Sequence, residues 1–236
     1  SALGSSAAYQ AAGVLIEKAK TLAAHLLESA ASDLEFADGL FTIAGTDRNI
    51  TLKQVATASF DPSRCPDGFE PGLGGEAEYK AEVANYPNGC HVSEVEVDPE
   101  TGKISVVRYT VVDDVGVVVN PLLLDGQIHG GVAQGLGQIL FEDIAYDPAS
   151  GQMLSGSFMD YAMPRGDDLP AIYVEANCVP TSTNPLGIKG AGEAGTIGAM
   201  PCVMNAAIDA LSSLGINQLD MPLTPGRVWQ AIHAAS

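Results

Sequence analysis

The chain begins on a helical rhythm. Ala11, Leu15, Ala19, Leu22 and Leu26 recur at three- and four-residue spacing, so residues 2 to about 30 are predicted to form one long helix with an apolar stripe. Polar Glu28-Ser29 closes it. Two short strands are predicted around Leu34–Phe36 and Leu40–Ile43, with Ala37-Asp38-Gly39 as the hairpin turn between them. Asn49-Ile50-Thr51 leads into a short helix. Thr51 and Gln54 have the capping-box spacing, in which each side chain satisfies a free backbone amide at the helix start. Residues 61–75 are rich in proline and glycine and are predicted to be a loop and the internal seam of the chain.

From Ala77 to Val119 the period falls to two. His91 to Val97 alternates as a half-buried strand does, Asp98 to Gly102 makes a tight turn, and Lys103 to Val112 pairs back antiparallel. A helix is then predicted over 122–143, although it carries Gly126, Gly130, Gly131, Gly135 and Gly137. Each interior glycine costs about 0.5–1 kcal/mol against alanine, so something must approach that backbone closely. A second helix packed against it and a ligand laid on it are both open. Beyond a turn at Asp147–Gly151 come extended segments near 153–160 and 171–179, an irregular stretch from Pro180 to Gly195, and helices at about 196–214 and 225–234. Thr224 caps the last of these, with Pro225 in the first turn, where proline is best tolerated. The fold class implied is α+β, a mixed or antiparallel sheet flanked by helices. Residues 1–75 and 76–236 are expected to form its two parts.

Composition narrows the function. With 46% hydrophobic and 17% charged residues over 236 positions, the chain is a folded domain with a buried core. Twenty-nine acidic against 11 basic side chains give a net charge of −18, which repels nucleic acid and anionic membrane surfaces. No run approaches the roughly 18 consecutive apolar residues of a spanning helix, so no membrane span is expected. The opening Ser-Ala-Leu-Gly-Ser-Ser lacks the basic region of a secretory leader. A helix starting with so little before it reads as part of something longer. Cys65, Cys90, Cys178 and Cys202 form no C-x-x-C pair, so reduced thiols in a cytoplasm are expected and no metal ligand set is assigned.

The most informative stretch runs from Asn184 to Thr196. Gly190, Gly192 and Gly195 spell G-x-G-x-x-G, but the dinucleotide reading needs a buried strand before it, and Thr181 to Pro185 is polar and ends in proline. A nicotinamide-dependent dehydrogenase is disfavoured on that ground. What survives is Glu193, a carboxylate among glycines just before a helix, with Lys189 as its one nearby countercharge. Pressed into a dry pocket it becomes a base near neutral pH; alternatively it only caps the helix that follows. In the glycine helix, the amide of Gln127 offers both donor and acceptor to the edge of a heterocycle. His129 reads as an ordinary hydrogen-bonder. Asp113-Asp114 lacks a third ligand for a metal and reads as a solvated strand end. Met159 and Met163, around Asp160-Tyr161, read as packing around a loop.

Taken together, these segments resemble the molybdopterin-binding large subunits of the xanthine dehydrogenase family. The resemblance rests on Gly-Gln-Ile-His-Gly-Gly-Val-Ala-Gln-Gly at 126–135, Asp-Tyr-Ala-Met-Pro-Arg at 160–165 and Asn-Pro-Leu-Gly-Ile-Lys-Gly-Ala-Gly-Glu-Ala-Gly at 184–195. Val-Asp-Pro-Glu-Thr-Gly at 97–102 and Met-Pro-Leu-Thr-Pro at 221–225 extend it over essentially the whole chain, and the branch it resembles most is the aerobic carbon monoxide dehydrogenase type. The resemblance implies the C-terminal part of a molybdenum hydroxylase large subunit, a molybdenum-dependent oxidoreductase acting on a small-molecule substrate. It implies molybdopterin cytosine dinucleotide as cofactor and Glu193 as the base that deprotonates the oxygen nucleophile. Gln127, Gly130, Gly131, Lys189, Gly190, Ala191 and Gly192 would lie along the cofactor. Electrons would leave through iron–sulfur clusters and FAD on partner subunits, and the rest of the large subunit would complete the cleft. The cysteine loop that marks the carbon monoxide branch has no match among the four cysteines here. The substrate stays open between carbon monoxide, an aldehyde and an N-heterocycle. A non-catalytic scaffold or assembly module of the same fold is the alternative.

Overall fold

The computed structural model describes residues 2–235. The chain divides into two compact units: residues up to Glu82 together with Asn184–Leu186, and Val83–Thr183 together with the residues from Gly187 onward. Each has its own apolar core.

In the first unit the apolar stripe produces helix α1 (Ala2–Leu27), which buries Ala19, Leu22 and Ala23. Strands β1 (Leu34–Ala37) and β2 (Leu40–Ile43) form the expected hairpin. Its turn is Asp38-Gly39, both at positive φ (50° and 75°), the twist that matches two antiparallel strands. Strand β3 (Asn49–Thr51) adds to β2, and the Thr51–Gln54 capping box forms at the head of α2 (Leu52–Ala58). Phe41 and Val55 are fully buried at the centre of this core.

The second unit carries a mixed sheet. Strands β4 (Asn88–Val97) and β5 (Ile104–Asp114) pair antiparallel, and β6 (Ile172–Ala176) joins the other edge of β5 in parallel. The α+β class with helices on a mixed sheet therefore holds. Residues 77–87 form no strand, and neither do 153–160, where a single bridge from Tyr146 to Met153 is all that pairs. The expectation that Met159 and Met163 pack around a loop fails as well. Met159 is 92% exposed and Met163 51%, because the loop is tied down by its polar groups, with the Tyr161 hydroxyl donating to Glu142 at 2.6 Å.

Strand phase has a consequence for chemistry. In β4 the inward positions are His91, Ser93, Val95 and Val97, while Val92 points out and is 60% exposed. The apolar residues switch parity between Val92 and Val95, but the backbone does not. A polar pair, His91 and Ser93, is therefore carried inward. The partner strand absorbs a register shift between Glu94 and Val95, leaving Val107 bulged, so that Tyr109, Val111 and Asp113 face the same way as His91.

Helices α3 (Pro121–Leu140) and α4 (Ala194–Ser212) cover the sheet, followed by α5 (Pro225–Ala235). Helix α4 is long and apolar enough to cross a membrane by length and composition alone. It contains Pro201, Asn205 and Asp209, however, and its line of Gly195, Ala199, Val203, Ala207 and Leu211, each four residues apart, is buried in the core. It is a core helix.

The glycine question divides by position. A Cβ on Gly131 would sit 2.9 Å from the Thr196 nitrogen, and one on Gly195 would sit 2.6 Å from the Ile128 carbonyl oxygen. There the two helix backbones touch, and the Thr196 hydroxyl donates to the Gly131 carbonyl at 3.0 Å. Gly126 and Gly130 instead face open space, where an added Cβ would meet nothing within 4 Å. This split generates opposite outcomes. Gly131→Ala is expected to destabilise by about 1–3 kcal/mol through overpacking, whereas Gly130→Ala should stabilise by about 0.5–1 kcal/mol through helix propensity. Urea unfolding midpoints of the two variants check both signs.

Candidate functional site

The segment from Asn177 to Glu193 has no regular structure, so it needs anchors, and Asp114 at the end of β5 provides them. Its Oδ1 accepts from the Gly116 amide at 2.9 Å and the Val179 amide at 3.0 Å, and its Oδ2 accepts from Lys189 Nζ at 2.6 Å. The Lys189 backbone amide also donates to the Val115 carbonyl at 2.8 Å. The Lys189 ammonium beside Asp114, with the two amides, holds that carboxyl down at about 2. Both side chains of the pair are nearly buried, at 13% and 11% exposure. The strand-end aspartates are therefore not solvated as expected: Asp113 is 5% exposed and Asp114 8%. The crossing segment covers them because its amides and Lys189 require an acceptor. Lys189 is committed to Asp114, so it serves as a fixed anchor for the segment and not as the countercharge of Glu193.

Glu193 occupies the N-cap position of α4 (φ −109°, ψ −9°), but its side chain makes no capping hydrogen bond. Its carbonyl accepts the Ile197 amide at 3.0 Å. The Glu193 side chain is exposed in this chain. It stands at the edge of a cleft of about 590 Å³. Gly190, Gly192 and Glu193 line the cleft together with Tyr86, His91 and Asp113.

The α3–α4 contact brings Gln127 to this edge. Its side-chain oxygen lies 3.7 Å from where a Cβ on Gly192 would be. Gln127, Gly126 and Gly130 are all exposed on one helix face, so the amide is flanked by bare backbone. Ala191 is half-buried, Gly190 opens onto free space, and Gly131 is occupied by packing on α4. His129 is a self-satisfied surface group, its Nδ1 2.7 Å from the Asp125 carbonyl. The structure thus gathers Gln127, Gly190, Gly192 and Glu193, and assigns Gly131 and Lys189 mechanical tasks.

His91 and Tyr109 were not singled out from the sequence, and Asp113 was read only as a solvated strand end. His91 Nδ1 lies 2.8 Å from the Tyr109 hydroxyl and its Nε2 3.4 Å from Asp113 Oδ1, and the side chains of His91 and Asp113 are each 6% exposed. Burial pushes the Tyr109 phenol well above its ordinary value, and the Cys202 thiol beside it adds to the shift. The hydroxyl therefore keeps its proton. The available signal was the parity break in β4, which sends a histidine inward. Among the described residues no group of three His, Cys, Asp or Glu is placed to hold a metal ion. The chain offers a cleft wall with a carboxylate at its edge. Beside this largely apolar lining, an exposed amide, bare helix backbone and an uncapped carboxylate fit a flat heterocyclic group with hydrogen-bonding edges.

Residues 1–170 match the molybdopterin cofactor-binding domain family, and the chain belongs to that family. It is 38% identical over 224 residues to the nicotine 6-hydroxylase large subunit of Paenarthrobacter nicotinovorans, covering 94% of this chain and 27% of that protein. It is 33% identical over 216 residues to the carbon monoxide dehydrogenase large chain of Hydrogenophaga pseudoflava, covering 91% of this chain and 26% of that one. The carbon monoxide dehydrogenase structure from Oligotropha carboxidovorans superimposes with a TM-score of 0.92 at 31% identity, over 98% of this chain and 28% of that chain. The chain therefore spans about a quarter of the length of these relatives.

The Asp114–Lys189 pair gives a pH test. The Asp114 carboxyl is lower folded, at about 2, than unfolded, at about 3.9. Its contribution is therefore full above about pH 4 and lost as pH falls toward about 2. Lys189→Met should lower the urea midpoint at pH 7, and its difference from wild type should shrink across that acid window.

Proposed function

We propose that this chain is the C-terminal part of a molybdenum hydroxylase large subunit, and that in the complete subunit Glu193 is the general base of an oxidative hydroxylation. The observation that carries the reading is the placement of Glu193: it lines the cleft next to Gly192, which Gln127 approaches, and its side chain is not spent on capping α4. Membership of the molybdopterin cofactor-binding family supports it, as does the likeness to carbon monoxide dehydrogenase over 98% of the chain.

In this reading Gln127 uses its amide to hold a pterin edge, and the bare backbone at Gly130 and along Gly190–Gly192 lets the cofactor lie close. Gly131 and Lys189 act from behind. The first lets α3 reach α4, and the second ties the loop to Asp114, so that Ala191 and Gly192 deliver Glu193 at a fixed place. The cofactor is molybdopterin cytosine dinucleotide, which when bound supplies the two-electron redox chemistry. Glu193 takes up the proton released as the oxygen nucleophile forms. The rest of the large subunit closes the cleft and keeps bulk water from the reacting groups. Iron–sulfur and FAD-bearing partner subunits carry the electrons away. The relative named as subunit gamma of the 6-hydroxypseudooxynicotine dehydrogenase complex supports such an assembly. Four free cysteines suit a cytoplasmic enzyme. The substrate is a small molecule, and related subunits carry names that include both nicotine and carbon monoxide.

Glu193→Gln in the complete enzyme keeps the shape and removes the base. Turnover is expected to fall by about 10²- to 10⁴-fold, with molybdenum and pterin content unchanged. Near-normal turnover would sink the assignment in favour of a scaffold module.

A further inference from the structure

Asp113 is the least explained polar group in the second unit. One carboxylate oxygen faces His91 Nε2 at 3.4 Å, while the other, Oδ2, is buried and has no hydrogen-bond partner among the described residues. A buried carboxylate oxygen without a donor is strongly unfavourable. The surroundings nevertheless hold the group in place. His91 is itself locked by the Tyr109 hydroxyl at 2.8 Å. Its ring packs on Gly198, where a Cβ would come within 2.5 Å of it. Gly89, across the strand pair, leaves room for Asp113: a Cβ there would clash with Asp113 Oδ1 and sit 2.6 Å from the Val112 carbonyl oxygen. Asp113 lines the same cleft as Glu193.

Asp113 is a cleft-lining residue positioned by a histidine and given space by a glycine, and its second oxygen is closed off in this chain without a donor. We infer that Asp113, oriented by His91, is a second hydrogen-bond acceptor of this cleft, with Oδ2 taking an O–H or N–H from what fills it. The shared chemistry is a neutral or cationic donor. Its two sources are an ordered water and a donor group of a bound ligand. Asp113 contacts the occupant, His91 positions Asp113, and Tyr109 positions His91. The inference rests on the cleft being a site, but not on Glu193 acting as a base.

A high-resolution crystal structure of the complete large subunit in its complex tests this directly. The expected result is a water oxygen or ligand nitrogen or oxygen within about 3.2 Å of Asp113 Oδ2. In Asp113→Leu, which matches its size without an acceptor, that atom should be lost while neighbouring waters remain. Asp113→Asn, which keeps an acceptor oxygen, should retain it. Crystals soaked in hypoxanthine, a ring N–H donor, separate the sources. Replacement of the water by the probe identifies a ligand contact, and an undisturbed water identifies a bound-water subsite. Oδ2 enclosed by apolar atoms, or paired with a side chain or backbone group from the rest of the subunit, would overturn the proposal. Because the readout is an atom position and not a rate, it stands or fails separately from the turnover of Glu193→Gln.

Discussion

The backbone contact between α3 and α4 is the constraint from which the rest of the site follows. Gly131 and Gly195 let the two helices approach until main chain meets main chain, with the Thr196 hydroxyl donating across the seam. Gln127 lies one turn before Gly131, and Glu193 lies two residues before Gly195. Pinning the two glycines together therefore brings an amide and a carboxylate to one edge of one cleft. Any side chain at Gly131 or Gly195 would push these two groups apart as well as loosen the core.

A second layer of control comes from the end of β5. Two adjacent aspartates there do different work because successive strand residues point to opposite sides. Asp114 gathers the irregular segment through two amides and Lys189, and so decides where the Glu193 loop runs. Asp113 faces His91 and the cleft. The loop that carries the proposed base thus has a charged anchor on one side and a helix seam on the other. That leaves Glu193 exposed but fixed in place along the chain.

Much was legible along the chain. The helix rhythm of α1, the Asp38-Gly39 turn, the Thr51–Gln54 box, the β4–β5 hairpin and the helical ranges of α3, α4 and α5 all follow from local period and local turn chemistry. Glu193 and Gln127 were visible as candidates because each is a polar side chain set among closely spaced glycines. Reading Asp113-Asp114 as solvated went wrong because exposure is a property of what crosses over a strand end, and the crossing segment is 65 or more residues away, at Val179 and Lys189. The Met159 and Met163 loop went wrong for the opposite reason: apolar composition suggested burial, but nothing in the described residues covers it.

What the sequence determined by itself was therefore the set of elements, their order, the α+β class and the short list of unusual residues, since periodicity and turn chemistry act over a few neighbouring positions. What only the tertiary structure decided was which of those residues meet. It showed that Lys189 is claimed by Asp114, that Gly131 is filled by α4 while Gly130 stays bare, and that His91 turns inward onto Asp113. Those outcomes depend on strand parity across a bulge and on close approach between helices remote in sequence, and no local pattern encodes either.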